Sequence, residues 1–237
     1  MNILEGSGSH GKYHFWDGDW LGAKTASGEI LDSYLLPWMD TLTSGQIMVD
    51  VGAHIGTFTI RLALRGVKVK AFEASPEVFE LLRMNVKENG VTNLVTTYNV
   101  ALYDKEIDLK VSPDCAYEKL ANGKLDYASR DCSGWLWLEP GKDVYEFRAK
   151  ALDSFAFEDV ALIKVDAEGC DLRVLEGARK TIESYRPVLC YEFNMRPARS
   201  NGYGVEDLND FVRGLGYKVI TVADHSIENK DFVGVPK

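Results

Sequence analysis

The sequence predicts a three-layer α/β fold with a mostly parallel sheet, an inserted β-hairpin region and a C-terminal antiparallel hairpin. Three observations support this fold class. Short β-rich apolar runs alternate with longer helical patterns from Val49 to Phe193, which is typical of parallel strands covered by helices. Apolar residues alternate with polar ones near both ends of the region 107–149, as in antiparallel strands. The last two β-rich runs, 217–222 and 232–235, predict the final hairpin.

The first part of the sheet region contains strand patterns at 47–51, 67–73 and 94–102. A short helix at 57–65 follows the first of them and ends at Gly66. Ser75 has a suitable side chain for an N-cap, and Pro76 suits the first helical position because it has no N–H group to leave unsatisfied. The second helix is therefore predicted to begin after Ser75 and to end at Asn89–Gly90.

The same alternation resumes after the insertion. Strands are predicted at 161–166 and 188–193, and helices at 171–183 and 205–215. Within the insertion, apolar residues alternate with polar ones in two places: Ile107, Leu109 and Val111, and then Tyr145, Phe147 and Ala149. Antiparallel strands are expected there. The stretch 112–143 shows no clear pattern.

One domain over residues 1–237 accommodates all of these elements. Residues 1–45 would form an N-terminal cap, and 46–237 would form the sheet core with an irregular insertion at about 107–149. Apolar residues recur at helical spacing from Ile30 to Leu42, which predicts an amphipathic helix that covers the sheet or closes a site.

Composition narrows the function class. The net charge of −9 argues against broad contact with nucleic-acid phosphates, and no apolar run approaches the roughly 18–20 residues that span a bilayer. The N-terminus lacks a signal-peptide pattern, so a cytoplasmic protein is expected. The four cysteines form no CxxC pair and are expected to be reduced. We expect a small-molecule partner, no nucleic acid and no membrane, and leave a homodimer open.

Two strand ends predict a nucleoside-binding site. The first strand runs into Asp50, Gly52, His54 and Gly56, where the glycines allow a tight turn and close approach of a ligand. The second strand ends in Glu73, 21 residues after Gly52. A carboxylate at that distance can accept hydrogen bonds from both hydroxyls of a ribose.

Asp50 favours S-adenosylmethionine over a nicotinamide cofactor, because a carboxylate beside the turn suits an ammonium group and a sulfonium and would repel a pyrophosphate. The turn also lacks the GxGxxG spacing that seats a pyrophosphate. A nicotinamide-dependent oxidoreductase on a similar sheet and a non-catalytic cofactor-binding module remain alternatives.

Six segments resemble the FkbM-type methyltransferases, in their usual order. They are DVGAHIG (50–56), AFEASPEVFELLRMNVKENG (71–90), NVALYDKE (99–106), LDSF (152–155), LIKVDAEGCDLRVLEGA (162–178) and PVLCYEF (187–193). The resemblance implies a Rossmann-like methyltransferase sheet of class I, binding of S-adenosylmethionine and O-methylation of a hydroxyl on a sugar or small metabolite. The partner would then be a small-molecule or carbohydrate acceptor.

The resemblance also implies positions for the cofactor. Asp50, Gly52 and Gly56 would line its methionine side, Glu73 would hold the ribose, and the turn 99–101, ending in Ala101, would lie beside the adenine. His54 replaces the asparagine most often seen at its position and could still donate a hydrogen bond.

Three carboxylates at strand ends are candidates for catalysis. Asp166 and Glu168 follow the fourth strand, and Glu192 ends the fifth. We predict Asp166 and Glu168 as the catalytic acids, because a general base can remove the acceptor proton. The acids could instead bind a divalent metal or belong to a sugar-nucleotide glycosyltransferase, but we predict no metal. Asp171 is expected to be only a helix-start residue.

Overall fold

The structure is a computed structural model that describes residues 2–111, 136–141 and 146–237, together with the backbone of 118–119 and 125–126. Its strands are β1 (Ile3–Gly8), β2 (Gly11–Trp16), β3 (Ile47–Val51), β4 (Lys68–Phe72), β5 (Val95–Tyr98), β6 (Ala101–Leu102), β7 (Ile107–Val111), β8 (Glu118–Lys119), β9 (Leu125–Asp126), β10 (Leu138–Pro140), β11 (Glu146–Lys150), β12 (Val160–Val165), β13 (Val188–Asn194), β14 (Tyr217–Asp224) and β15 (Asn229–Pro236). Its helices are α1 (Trp20–Ser27), α2 (Leu36–Met39), α3 (Thr57–Ala63), α4 (Pro76–Glu88), α5 (Asp171–Gly177), α6 (Arg179–Tyr185), α7 (Met195–Ser200) and α8 (Val205–Gly214).

Seven strands form the central sheet in the order β14-β15-β13-β12-β3-β4-β5. The five strands from β13 to β5 are parallel, and β15 pairs antiparallel with both β13 and β14. The predicted α/β fold with a C-terminal hairpin is confirmed. The strand order reverses between β3 and β12, and a crevice forms at such a switch point because the connections leave on opposite sides.

Helices cover the sheet, with α3 beside β4, α4 beside β5, α6 beside β12 and α8 beside β14. The central strands β3 and β12 carry completely buried side chains such as Met48, Val49, Leu162 and Ile163. A parallel strand covered on both faces must be apolar nearly throughout, which explains why these runs were readable in the sequence.

A second sheet, in the order β10-β7-β11-β6, accounts for the inserted region. The antiparallel pairing of β7 with β11 confirms the strands expected from alternation at Ile107–Val111 and around Phe147. Tyr145 and most of the stretch 112–143 lie outside the described residues.

The single strand expected over 94–102 is wrong, because it is divided between the two sheets as β5 and β6. Asn99 lies between them, and its amide donates to the backbone carbonyls of Glu73 and Ala74 at 2.9 and 3.0 Å. This side chain ties the break in the strand to the end of β4.

The predicted helix over 171–183 is two helices separated at Ala178. The Asp153 carboxylate accepts hydrogen bonds from the N–H groups of Lys180 and Thr181, which caps a new helix start. The cap comes from a residue 27 positions away, so the local pattern could not show it.

The N-terminal prediction is also wrong. In place of one helix over 30–42, a 3-10 turn at Ser33–Leu35 leads into the four-residue α2, which has Pro37 in its first turn. The β1–β2 hairpin and α1 were not predicted. Tyr13 and Phe15 of β2 are buried, so the hairpin packs into the core. Among the described residues, no helix combines the length and apolar character needed to cross a membrane.

Candidate active site

The carboxyl ends of the central strands open into one cavity of about 340 Å³. Strands β3, β4, β12 and β13 supply its floor, while Trp20 and Tyr34 from the N-terminal segment and His225 and Asp231 from the C-terminal hairpin supply its walls. This volume is within the usual range for a small-molecule site. The predicted residues Gly52, His54, Glu73, Ala101, Asp166 and Glu168 all line it.

Gly52 lines the cavity and also packs closely against the end of β12. Its φ of +69° is in the left-handed region, and a Cβ there would lie 1.8 Å from the carbonyl oxygen of Asp166. Glycine is therefore required because the turn after β3 touches the end of β12. Gly56, with φ +99°, packs against Leu82 of α4 and is not among the described residues that line the cavity.

Asp50 lies beneath the cavity, with 1% of its surface exposed. Its Oδ2 accepts a hydrogen bond from the Thr59 hydroxyl at 2.6 Å, and its Oδ1 is 3.6 Å from Nζ of Lys164. Burial raises the pKa of Asp50, and Lys164 opposes this shift. Asp50 would therefore act on a ligand through the Lys164 ammonium group.

Glu73 joins the loops that follow β3 and β4 at the predicted cofactor end of the cavity. Its Oε2 accepts from the N–H of His54 and its Oε1 from the N–H of Ser75, both at 2.9 Å. Burial raises the pKa of Glu73 to about 7. Each carboxylate oxygen has two acceptor directions, so both oxygens can still accept a further hydroxyl.

His54 has an unusual backbone, with φ +54°. Burial lowers the pKa of its imidazole, so the ring is neutral near pH 7. Left-handed backbone costs a non-glycine residue about 1 kcal/mol or more. Glu168, with φ +46°, shares this conformation, and both residues line the cavity.

The predicted adenine end has an apolar wall. Val100, Ala101 and Leu102 line the cavity there together with Phe72, whose ring stacks on Tyr98 with centroids 4.6 Å apart. The turn before Ala101 is held by the Asn99 amide. This wall suits the flat face of a purine.

Asp166 forms an ion pair with Lys164 at the edge of the cavity. Its side chain is 35% exposed, and its Oδ2 accepts from Nζ of Lys164 at 3.2 Å. The same ammonium group donates to the Gly52 carbonyl at 3.1 Å. Burial acts to lower the pKa of Lys164, but Asp166 and Asp50 more than offset it, so the ammonium stays charged.

Glu168 has a different environment. Burial, followed by repulsion from Asp166 and Asp171, raises its pKa well above the ordinary value, although the side chains of Trp137 and Asn194 oppose the shift. Asn194 donates to Oε2 at 3.5 Å. Glu168 is therefore protonated in conditions where an exposed carboxyl would be charged.

Asp171 begins α5 as expected, but its buried carboxylate binds the preceding loop. It accepts from the N–H groups of Ala167 and Gly169 at 3.2 and 3.0 Å. Burial raises its pKa to about 7. Asp171 therefore shapes the turn that carries Glu168, which is more than the helix-start role predicted for it.

Glu192 completes a group of three acids. Oxygen atoms of Asp166, Glu168 and Glu192 lie within 4.8 Å of one another. Burial and then the charge of Glu168 raise the pKa of Glu192 well above its ordinary value. The group could place three oxygen ligands around a hard cation, or share protons between its members.

Sequence reasoning missed a polar cluster at the opposite wall. The Tyr34 hydroxyl lies 2.9 Å from Asp32 Oδ1 and 2.8 Å from Asp231 Oδ2, and His225 Nε2 is 3.0 Å from the same Asp231 oxygen. Burial raises the pKa of Asp231 to about 6. Tyr34 and Asp231 are 197 residues apart, so no local signal could join them. Lys164 did carry a signal, as a lone charge in an apolar strand.

A family model described as the methyltransferase FkbM domain matches residues 50–219. This range contains the turn after β3, the end of β4, and all three acids. The chain is also similar to a methyltransferase FkbM structure from Methylobacillus flagellatus, with a TM-score of 0.55 and 17% identity over 81% of this chain and 44% of that one.

Two further proteins are similar to the chain, one in overall structure and one in a short stretch of sequence. The precorrin 8w decarboxylase structure from Methanobacterium thermoautotrophicum has a TM-score of 0.51 and 14% identity over 88% of this chain and 91% of that one. A tRNA (guanine(37)-N(1))-methyltransferase from Danio rerio is 42% identical over 59 residues, which are 25% of this chain and 12% of the relative. The structural similarities, at such low identity, concern the fold alone.

Proposed function

Because the chain belongs to the FkbM methyltransferase family, we propose that it transfers the methyl group of S-adenosylmethionine to a hydroxyl of a sugar or other small metabolite. The single observation that carries this proposal is the position of Glu73 and Asp166. They line one cavity from strand ends on either side of the Gly52 turn. Glu73 is suited to bind the ribose of the cofactor, and Asp166 is suited to accept the proton of the reacting hydroxyl.

The cavity residues fit S-adenosylmethionine. Glu73 retains acceptor capacity on both oxygens for a ribose diol, and the wall containing Ala101 and Val100 suits the adenine. The Gly52 turn and His54 would face the methionine part, and Asp50 would lie beneath it, paired with Lys164. When bound, this cofactor supplies an electrophilic methyl group on a sulfonium.

The remaining chemistry falls to the chain's own carboxyl groups. Asp166, whose side chain is 35% exposed, would accept the acceptor's hydroxyl proton, and Lys164 would hold its carboxylate in place from 3.2 Å. Protonated Glu168 would donate a hydrogen bond to an acceptor oxygen and orient it. The two acids predicted as a pair therefore take different roles, one accepting and one donating.

The family membership favours methyl transfer over the oxidoreductase alternative, and the net charge of −9 supports a small acceptor over a nucleic acid. Titration calorimetry distinguishes the methyltransferase from the oxidoreductase: S-adenosylhomocysteine should bind, and NADH should not. The alternative of a non-catalytic module needs a turnover measurement. Binding of NADH alone would contradict the proposal.

Turnover tests the catalytic assignment. Methyl transfer from radiolabelled S-adenosylmethionine should be measured across a panel of hydroxylated sugars and small metabolites. With an accepted substrate, Asp166→Asn should lower kcat by roughly 10²–10⁴-fold and leave S-adenosylhomocysteine binding unchanged. Unchanged kcat in this variant would remove Asp166 as the base. Cofactor binding with no transfer in any case would favour the non-catalytic module.

A further inference from the structure

A second recess, outside the main cavity, is lined by Trp137, Arg196, Arg199 and Ser200. Both arginines are exposed and lie on α7, three residues apart, so they project from one face of that helix. None of these four residues was assigned a role in methyl transfer.

These two arginines differ from the other arginines that the structure describes. Each of the others bonds to a carboxylate or backbone carbonyl of the chain: Arg61, Arg65, Arg83, Arg148, Arg173, Arg179, Arg186 and Arg213. Within the described part of the chain, Arg196 and Arg199 have no such hydrogen bond or ion pair. Acidic residues outnumber basic ones in this protein, 36 to 27, so two guanidinium groups left over at one recess need an explanation.

The recess is firmly connected to the turn that carries Glu168. Helix α7 begins directly after Asn194, whose amide donates to Glu168 at 3.5 Å. Pro197 packs so tightly on Gly169 that a Cβ at Gly169 would lie 2.4 Å from it. Trp137 lines the recess and also interacts with the Glu168 carboxyl group. A ligand on the arginines would therefore lie beside the acceptor end of the cavity.

We propose that Arg196 and Arg199 bind a phosphate group carried by the methyl acceptor, while the acceptor's hydroxyl reaches Asp166. This inference rests on the proposed function for the transfer step. A guanidinium group matches the geometry of phosphate oxygens and donates two hydrogen bonds to them. Trp137 stands between the two ends, where its ring can contact the body of the acceptor.

The charges of the two neighbouring sites support binding of the phosphate at the arginines and of the hydroxyl at Asp166. The acceptor end of the cavity presents Asp166, Glu168 and Glu192, and its ammonium group, Lys164, is already bonded to Asp166 and to a backbone carbonyl. A phosphate placed there would be repelled by the Asp166 carboxylate and would compete with it for Lys164. The two exposed arginines are next to this end and free to bind an anion, so they fix which end of a phosphorylated acceptor enters the cavity.

The test is a calorimetric titration of inorganic pyrophosphate into protein saturated with S-adenosylhomocysteine, at constant ionic strength. The double variant Arg196→Gln/Arg199→Gln removes both charges and keeps a polar, although shorter, side chain at each position. The matched control, Arg83→Gln/Arg213→Gln, removes two exposed arginines from α4 and α8. We expect pyrophosphate affinity to fall at least about tenfold in the first variant and to stay within about twofold in the control.

Three results would overturn the inference: no pyrophosphate binding by the unaltered protein, equal affinity in the Arg196/Arg199 variant, or an equal loss in the control. Tighter binding of a transfer RNA than of pyrophosphate, lost in the same double variant, would also overturn the assignment to a small acceptor. Binding of S-adenosylhomocysteine is measured in the same samples. If the unaltered protein does not bind S-adenosylhomocysteine, the proposed function is contradicted. If it binds S-adenosylhomocysteine but not pyrophosphate, only the phosphate site is contradicted.

Discussion

Replacing Lys164 by methionine removes a buried ammonium group from between two carboxylates. Nζ of Lys164 lies 3.6 Å from Asp50 Oδ1 and 3.2 Å from Asp166 Oδ2, and it donates to the Gly52 carbonyl. Methionine has a similar length and shape without charge or donors. The substitution therefore tests the electrostatic contribution of Lys164 with little change in packing.

The expected cost follows from which carboxylate is left alone. Asp166 is 35% exposed and can be hydrated, so its loss of a partner costs little. The Asp50 side chain is 1% exposed and would keep only its bond from Thr59. Breaking a buried pair by removing one partner costs about 3–5 kcal/mol. For a chain of this size, that corresponds to a fall in Tm of about 6–20 °C.

A double-mutant cycle in urea denaturation measures the coupling directly. Asp50→Asn removes the buried charge while an amide oxygen can still accept from Thr59, and the double variant Lys164→Met/Asp50→Asn removes both charges. We expect the double variant to be less destabilised than the sum of the single variants by about 1–3 kcal/mol. Lys68→Met, at an exposed lysine at the start of β4, is the control and should change stability by less than about 0.5 kcal/mol.

Additive effects in this cycle, within about 0.5 kcal/mol, would refute the reasoning, because they would mean that Asp50 and Lys164 do not stabilise each other in the folded chain. A loss in the Lys68 variant as large as in the Lys164 variant would refute it as well. Unfolding must be two-state by two probes for the comparison to hold.

Three further predictions concern the same cavity. Because the folded-state pKa of Glu73 is raised to about 7, its contribution to stability is present below its ordinary pKa near 4.5 and is lost as pH rises towards 7. The unfolding free energy of the unaltered protein should therefore decrease between pH 5 and 7, and Glu73→Gln should make this decrease smaller by up to about 1.4 kcal/mol per pH unit. Urea denaturation at several pH values measures it, and the same pH dependence in both proteins would contradict the prediction. Gly52→Ala, which places a Cβ 1.8 Å from the Asp166 carbonyl oxygen, should destabilise by about 2–5 kcal/mol, against about 1–2 kcal/mol for Gly90→Ala, where φ is also positive but space is open; equal losses would show that the contact is unimportant. Chelation by EDTA should leave S-adenosylhomocysteine binding and methyl transfer unchanged, and activity that disappears and returns with Mg²⁺ would show that the three acids hold a metal.

The central fold was largely predictable because the central strands of the parallel sheet are buried on both faces and are therefore mostly apolar. The runs at Ile47–Val51 and Val188–Asn194 show this directly. The N-terminal segment was not predictable in the same way. Its hairpin and the short α2 are stabilised by contact with the rest of the chain, as shown by the His14 N–H group donating to Asn85 of α4 at 2.6 Å.

The site was predictable where one local rule sufficed. Strand ends in an α/β sheet meet at one edge, so Gly52, Glu73 and Asp166 could be placed together before the structure was known. The different environments of Asp166 and Glu168 could not be predicted, because burial of one and the ion pair of the other depend on neighbours such as Trp137 and Lys164.

The sequence by itself therefore determined where the strands of the parallel sheet lie along the chain, where the glycine turn follows the first of them, and which acids stand at strand ends. All of these depend on the periodicity and chemistry of neighbouring residues. The tertiary structure alone decided that Asp50 lies beneath the cavity behind Lys164 and that Asp231 meets Tyr34. It also placed Arg196 and Arg199, which have no ion pair within the described part of the chain, beside the Glu168 turn. Each of these depends on contacts between distant segments, and their energies come from burial and charge pairing in the folded chain.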